Sequence, residues 1–314
     1  MSSSQPNTFA ANAARTVWLD MDQEQLDDAY TQIKYAPNMP QILLRYASNS
    51  DLARDRLGAP RRIAYGPTHV EALDLYPAAA THAPIAIFLH GGGWRSGAAD
   101  HHGFAAEMFV AAGVHYIAPD FVNVTAAGGD LRPMVDQVRR AIAWAHHNAA
   151  SFGGDPNRIH LYGHSSGAHL AAVAMVTDWK GRFGLPADVI KTGLLCSGMY
   201  DLEPVRLSAR SRYVRFTDEI EQELSPQRHL ELFTAPVVLA YGSEETPEFQ
   251  RQTRDFALPC VLPTGRSSCS LRRTTIISKS PRRWDHLTGC SAAPRWRRSA
   301  PAKAWLIRRI VCLD

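Results

Sequence analysis

The sequence predicts an α/β fold, with a mostly parallel sheet covered by helices on both faces. Strand-like and helix-like patterns alternate along most of the 314 residues, which is typical of strands joined by crossover helices. The run at 84–89, Pro-Ile-Ala-Ile-Phe-Leu, is almost continuously apolar, as expected for a strand buried on both faces. A short strand pattern at 159–162 leads directly into Gly-His-Ser-Ser-Gly and then into a helical pattern.

The elements follow one another from the N-terminus. Apolar residues at helical spacing predict one helix at 22–35 and a second after Pro40, which either cap a site or simply pack on the surface. Alternating runs predict an antiparallel pair of strands at 62–66 and 70–76. The patterns beyond the strand at 84–89 predict helices at 104–112, 131–149, 170–176 and from Pro247 onward, and strands at 114–119, 159–162, 192–196 and 236–241.

Ser165 is the candidate nucleophile. A serine on a sharp turn between a strand and a helix needs small neighbours, and Gly163 and Gly167 supply them. The start of the following helix offers free N–H groups and a positive dipole end to developing negative charge. The pattern G-x-S-x-G is short enough to arise by chance in a Gly/Ser loop, but the strand before it and the helix after it favour the catalytic interpretation.

The second candidate feature is the segment His90-Gly91-Gly92-Gly93-Trp94, which follows the buried strand. The backbone N–H groups of Gly91 and Gly92 are accessible because no side chain covers them, and the N–H of Ser166 would complete an oxyanion hole. A phosphate-binding loop is the alternative, but neither a Lys-Ser/Thr pair nor G-x-G-x-x-G spacing is present.

Charge and cysteine are distributed unevenly along the chain. Residues 258–314 contain 12 Lys and Arg against 2 Asp and Glu, whereas residues 1–257 contain 22 against 28. Four of the five cysteines also lie after residue 257, and their spacing matches neither a metal site nor a disulfide framework. The basic tail raises nucleic-acid binding as an alternative function, but it has no recognisable motif or aromatic platform and the rest of the chain is acidic. No apolar run has the length of a membrane span, and the N-terminus lacks the apolar core of a signal peptide, so we expect a cytoplasmic protein with no membrane partner.

Several motifs together resemble a known family. The His-Gly-Gly-Gly-Trp and Gly-His-Ser-Ser-Gly segments resemble the α/β-hydrolase fold in its hormone-sensitive-lipase-like esterase branch. Four further segments are similar to bacterial arylformamidase (kynurenine formamidase)-type hydrolases, over roughly residues 20 to 257: Asp120-Phe121, Ala127-Gly128-Gly129-Asp130, Ser197-Gly198-Met199-Tyr200-Asp201-Leu202 and Glu245-Thr246-Pro247-Glu248-Phe249. The resemblance implies a serine hydrolase without cofactor or metal, acting on N-formylkynurenine or related aryl amides and esters.

The resemblance also implies which carboxylate serves as the acid. The family's acid directly precedes Ser/Thr-Pro-Glu-Phe, a position occupied here by Glu245. Its neighbours Glu244 and Glu248 are then expected to belong to a solvated acidic loop. Asp201 is the second candidate, with lining of the pocket as its other role.

The sequence does not show an obvious catalytic base. Triad order in this fold is Ser, acid, His, so the base must follow Glu245, and His286 is the only histidine there. We expect His164 to order the turn, and His101 and His102 to face solvent or line the pocket. The family ends with one more strand, Asn-His-Phe and a helix, and nothing from Leu258 onward resembles this.

We therefore predict that the tail is out of frame. When the last base of each codon is read with the first two bases of the next, and mostly G/C-ending codons are chosen, residues 272–279 can encode Ala-Asn-Tyr-Asn-His-Phe-Glu. The predicted organisation is a flexible N-terminus at 1–20, an α/β-hydrolase domain at 21–257 and a non-native basic tail at 258–314. In this view the C-terminal strand and helix are missing or disordered, β-strand edges are left unpaired and activity is impaired. The expected partner is a small-molecule acyl substrate and not nucleic acid, while a non-catalytic binding protein remains an alternative and the oligomeric state, including a homodimer, stays open.

Overall fold

The fold is an eight-stranded sheet with helices on both faces. A computed structural model of the chain describes residues 15–261 and 274–279. The strands run in the order β1-β2-β4-β3-β5-β6-β7-β8. The pairs β1-β2 and β2-β4 are antiparallel, and every pair from β4-β3 to β7-β8 is parallel. Their bounds are Arg61–Ala64, Ala72–Tyr76, Ala83–Leu89, His115–Pro119, Gly154–His164, Ile190–Cys196, Val237–Gly242 and Thr274–Lys279.

Ten α-helices are described along the same residues. In chain order, α1 to α10 span Gln23–Ala29, Gln32–Tyr35, Met39–Leu57, Ala106–Ala111, Arg132–Asn148, Ser166–Met175, Trp179–Phe183, Glu203–Leu207, Asp218–Leu224 and Pro247–Val261. The predicted alternation of strands and helices from β1 to α10 is confirmed. The short helices α7, α8 and α9 were not predicted, because five to seven residues carry too little periodicity to stand out from a loop.

The core lies on both faces of the sheet because side chains alternate along each strand. On β3, Ile85 and Ile87 belong to the larger apolar cluster, which also holds the inner faces of α5 and α6. Ala86, between them, belongs to the smaller cluster on the opposite face with Phe109 of α4 and Tyr116 of β4. Every residue of α6 is buried, which places the helix that follows Ser165 at the centre of the molecule.

The N-terminal helix predicted at 22–35 is divided in two. Tyr30 ends α1 and α2 begins at Gln32, and the hydroxyl of Thr31 donates to the carbonyl of Asp27 (2.7 Å), which helps to end the first helix. Tyr30 is buried against α10, where its hydroxyl donates to Glu248 (3.0 Å) and accepts from Gln252 (2.6 Å). The first helix thus packs on the helix that follows Glu245.

The third helix covers the segment that follows His90-Gly91-Gly92-Gly93-Trp94. The Arg54 guanidinium donates to the carbonyl of Asp100 (2.7 Å), the Ser50 hydroxyl accepts from the N–H of Phe104 (3.1 Å), and the Tyr46 ring stacks on Phe104. In the described part of the N-terminal lead-in, Val17 and Trp18 pack against the larger core cluster. None of the described helices combines the length and the apolar composition needed to cross a bilayer.

The final strand corrects one expectation from the sequence. Thr274–Lys279 forms β8 and pairs in parallel with β7 from Val237↔Thr274 to Gly242↔Lys279. The predictions that this strand is missing and that the edge of β7 is unpaired are therefore wrong. The run Thr-Thr-Ile-Ile contains only β-branched residues, which favour strands, but the change in charge after residue 257 indicated a non-native tail instead. The C-terminal helix and the rest of the tail lie outside the described residues.

Candidate active site

Ser165 occupies a strained turn between β5 and α6. Its backbone has φ 54° and ψ −123°, a conformation that non-glycine residues rarely adopt. The turn is fixed from the sheet, since the N–H of Ser165 donates to the carbonyl of Cys196 at the end of β6 (2.8 Å). The serine side chain is partly exposed, and no described side chain forms a hydrogen bond with its hydroxyl. A strained turn that presents a polar side chain is the geometry expected of a nucleophile elbow.

The two glycines around Ser165 are required by close packing of the backbone. A methyl group on Gly163 would lie 2.5 Å from the carbonyl oxygen of Gly167, and one on Gly167 would overlap the carbonyl oxygen of Leu89. Real Cβ atoms do not approach other atoms so closely, so neither position tolerates a side chain without movement of the backbone. The end of β3, which carries Leu89, is thereby held against the start of α6.

The glycine segment after β3 lies directly beside Ser165. A methyl group on Gly91 would be 3.1 Å from Ser165 Cβ and 2.9 Å from the carbonyl oxygen of His164. Gly92 has φ +121° and turns the chain, so its carbonyl accepts from the N–H groups of Arg95 (3.1 Å) and Ser96 (3.2 Å). Within the described residues, the N–H groups of Gly91, Gly92 and Ser166 have no hydrogen-bond acceptor. Three unsatisfied donors next to a serine are what an oxyanion hole requires.

Trp94 and His169 fasten this segment to α6. The N–H of Trp94 donates to Ser166 Oγ (3.2 Å) and its indole Nε1–H donates to His169 Nδ1 (3.2 Å). His169 Nε2 in turn donates to the carbonyl of Leu224 (2.8 Å), so the ring is neutral with its proton on Nε2. Complete burial lowers the pKa of His169 to about 4. No local sequence pattern indicates this contact, because Trp94 and His169 are far apart in the chain and His169 lies within a helical pattern.

A small cavity lies behind the glycine segment. It is lined by Gly91, Ser166 and Trp94 together with His90, Ser96, Gly97, Phe121, Asn123 and Met134. His90 is buried, with its ring stacked between Phe121 (4.3 Å between centroids) and His102 (5.5 Å). Burial lowers the pKa of His90, and burial together with the nearby His90 lowers the pKa of His102 to about 3. These rings are therefore neutral supports of the segment at neutral pH.

Glu245 follows β7 at the same edge of the sheet. Its Oε1 accepts a hydrogen bond from Ser197 Oγ (2.6 Å), and Ser197 follows β6. Its Oε2 is buried and has no partner among the described residues. Burial raises the pKa of Glu245, while the hydrogen bond from Ser197 acts in the opposite direction. Ser165, Ser197 and Glu245 thus stand at the carboxyl ends of three consecutive parallel strands, β5, β6 and β7.

Known proteins share both the sequence and the fold. The family model BD-FAE matches residues 73–190. The kynurenine formamidase of Danio rerio is 29% identical over 252 residues, which cover 76% of this chain and 83% of that protein. Esterase LipC of Mycobacterium tuberculosis is 30% identical over 231 residues, which cover 70% of this chain and 56% of that protein. A solved esterase of Thermogutta terrifontis superposes with a TM-score of 0.59 at 20% identity, covers 72% of this chain and 84% of that chain, and shows the fold.

The chain is an α/β-hydrolase of the esterase and arylformamidase type. The resemblance and the fold class predicted from the sequence are confirmed. The hydrolase carries the expected serine and glycines at the ends of β5 and β3, the two positions that the family motifs assign to them.

The other acidic side chains of the hydrolase have different surroundings from Glu245. Asp201 Oδ1 accepts from the backbone N–H of Glu203 (3.2 Å), the first residue of α8, and forms an ion pair with Arg228 (3.5 Å). Glu244 is exposed, as expected of a solvated loop. Glu248 is not: it is buried, and its carboxylate accepts from Tyr30 and from Arg251 (2.6 and 2.8 Å). The expectation for Glu248 was wrong because its partner Tyr30 comes from a distant helix.

The histidines near the site differ in their exposure and surroundings. His101 is exposed and His102 is buried in the aromatic stack. His164 lies next to Gly91, since a methyl group there would be 3.3 Å from His164 Nδ1. His286 lies outside the described residues. Among the residues that the structure describes, no three His, Cys, Asp or Glu side chains are grouped to bind a metal ion.

Proposed function

We propose that this hydrolase is a serine enzyme that cleaves aryl-formamide or carboxylic ester bonds through an acyl-enzyme. The observation that carries the proposal is the strained Ser165 turn beside three N–H groups without acceptors. The similarity to kynurenine formamidases over most of their length favours formamides such as N-formylkynurenine as substrates. A carboxylesterase of broad specificity is the alternative that the relationship to esterases supports.

The proposed chemistry has two steps. Ser165 Oγ attacks the acyl carbon, its proton passes to a base, and the N–H groups of Gly91, Gly92 and Ser166 stabilise the oxyanion. The base gives the proton to the leaving amine or alcohol as the C–N or C–O bond breaks. Water, deprotonated by the same base, then attacks the acyl-enzyme and releases formate or another acid together with free Ser165.

Glu245 is proposed as the acid that orients the base. Its buried Oε2 has no described partner, and an imidazole N–H would satisfy it in the way a triad carboxylate is satisfied. Asp201 is less suited to this role because its carboxylate already accepts from the backbone of Glu203 and pairs with Arg228.

The position of β8 bears on the source of the base. In this fold the base follows the acid in chain order, and His286 follows both Glu245 and β8 in the sequence. Two possibilities remain: His286 is the base, or the base is lost and would return with the shifted reading of the tail.

Labelling and turnover test the proposal. We expect a fluorophosphonate probe to attach to the protein at Ser165 and the slow hydrolysis of p-nitrophenyl acetate above background to vanish in Ser165→Ala. Ser211→Ala, an exposed serine elsewhere on the surface, is the matched control and should retain both. Equal labelling of wild type and Ser165→Ala would overturn the proposal.

A substrate comparison separates the two candidate activities. A formamidase should hydrolyse N-formylkynurenine with a kcat/KM well above that for p-nitrophenyl acetate or butyrate. A general carboxylesterase should show the opposite order. No labelling and no turnover with a correctly folded protein would instead favour the non-catalytic binding protein.

A further inference from the structure

Ser197 is a buried serine in an unusual backbone conformation at the end of β6. Its φ is 56°, and only 3% of the residue is exposed to solvent. The N–H of Ser197 donates to the carbonyl of Ala240 on β7 (2.8 Å). The preceding residue, Cys196, accepts from the N–H of Ser165. The backbone at 196–197 is thus fastened both to the serine turn and to the strand that leads to Glu245.

The side chain of Ser197 has a specific acceptor. Its hydroxyl donates to Glu245 Oε1 at 2.6 Å, and the Cys196 thiol lies 3.5 Å from the same hydroxyl. A short bond to a carboxylate is charge-assisted and stronger than a bond between neutral groups. The other oxygen, Oε2, is buried and lacks a described partner.

We propose that Ser197 is the positioning residue of the acid: its hydroxyl holds one oxygen of the Glu245 carboxylate so that the other is presented to the N–H of the base. This inference rests on the proposed function, in which Glu245 orients the base. The strained φ of Ser197 is consistent with it, because strain at a non-glycine residue persists only where the surroundings impose it.

The hydrogen bond also affects ionisation of the acid. A buried carboxyl has a raised pKa, because desolvation disfavours the charged form, whereas a hydrogen bond donated to the carboxylate favours it. Both effects act on Glu245. Removal of the Ser197 hydroxyl should therefore raise the pKa of Glu245, and a fall in kcat at unchanged KM separates positioning of the acid from a contact that only supports the fold.

The experiment measures the Glu245 carboxyl directly in the full chain. Protein labelled with glutamate enriched in ¹³C at the side-chain carboxyl is titrated by NMR, and the Glu245 signal is assigned by its absence in Glu245→Gln. Ser197→Ala removes the hydroxyl, and Ser197→Gly removes it while relieving the strained φ. Ser208→Ala is the matched control, since Ser208 is equally buried and its hydroxyl donates to the carbonyl of Val205 (2.7 Å).

The expected result is a Glu245 pKa that is higher by about one pH unit in both Ser197→Ala and Ser197→Gly and unchanged in Ser208→Ala. In a chain that carries a working base, kcat for p-nitrophenyl acetate should fall about tenfold in both Ser197 variants with little change in KM. An unchanged Glu245 pKa in both variants would overturn the inference.

The NMR titration and the activity assay test this inference and the proposed function separately. The NMR titration does not require turnover, so a shifted pKa in a chain without Ser165-dependent hydrolysis would support the positioning contact and count against the enzyme activity. A normal Ser165-dependent rate with an unshifted Glu245 pKa would support the enzyme activity and contradict the role of Ser197.

Discussion

Individual histidines beside the candidate site are held neutral by desolvation. His102 lies in an aromatic stack with Phe88 and His90, and its Nδ1 is 2.9 Å from the carbonyl oxygen of Ala98. Burial lowers the pKa of His102 to about 3 and that of His169 to about 4. In the unfolded chain the pKa of each histidine returns towards the ordinary value of 6.5. Because the unfolded state then binds more protons, the free energy of unfolding must decrease as the pH falls below 6.5.

Replacing one of these rings should reduce that pH dependence. His102→Phe keeps the stack but cannot titrate, so the loss of stability between about pH 7 and about pH 5 should be smaller than in the wild type by about 2 kcal/mol. Urea unfolding at the two pH values measures it. His101→Phe is the control, since His101 is exposed, and its pH dependence should equal that of the wild type. If His102→Phe loses as much stability as the wild type between these two pH values, His102 is protonated in the folded state.

At the scale of elements, the Ser165 turn is a junction of two strand ends and one helix start. The glycine segment after β3, the Ser165 turn after β5 and the start of α6 touch through backbone atoms with no intervening side chains. Trp94 adds hydrogen bonds from that segment to Ser166 and His169. Backbone contact of this kind fixes N–H positions more firmly than side-chain packing, because no rotamer can change.

A single added methyl group tests this junction. In Gly167→Ala the new Cβ would overlap Leu89 and lie 2.5 Å from the carbonyl oxygen of His90, so we expect a loss of about 3 kcal/mol in the free energy of unfolding. Gly184→Ala is the control, since Gly184 has φ +65° but nothing within 4 Å of the added methyl, and should lose only about 1 kcal/mol. Urea unfolding gives both values, and similar losses would mean that α6 can move away from β3.

At the scale of the whole molecule, the parallel order β5-β6-β7-β8 determines which side chains of the candidate site lie next to one another. Ser165, Ser197 and Glu245 follow the first three of these strands, and the sequence that contains His286 follows the fourth. We propose that the base comes from the sequence after β8, whichever reading of the tail supplies the residue. The excess of Lys and Arg after residue 257 is consistent with the predicted frame change. The pairing of β8 with β7 shows that residues 274–279 of the tail, as given, still add a strand to the sheet.

Two chains distinguish these readings of the tail. If the tail is out of frame, the printed chain should hydrolyse p-nitrophenyl acetate at least about 10³-fold more slowly than a chain whose residues 258–314 follow the shifted reading, because loss of one triad member disables the unit. His286→Ala should then have no effect on the printed chain. A printed chain that turns over at about 10 per second and loses this activity in His286→Ala would contradict the prediction and identify His286 as the base.

The sequence by itself determined the fold class, the Ser165 turn and the glycine segment. These depend on local patterns: strand and helix periodicity, and glycines at positions where the backbone must pass closely. The same patterns placed Glu245 after β7, with the family motif around it. Each of these signals lies within a few consecutive residues, so neighbouring positions are enough to reveal it.

The tertiary structure alone decided which side chains meet. The bond of Ser197 to Glu245, the contact of Trp94 with His169 and the burial of Glu248 under Tyr30 all join distant parts of the chain. No local pattern encodes such pairs, since they depend on which strands become neighbours and how helices pack on them. The same reason hid β8: a β-branched run becomes a strand only when the edge of β7 is there to pair with it.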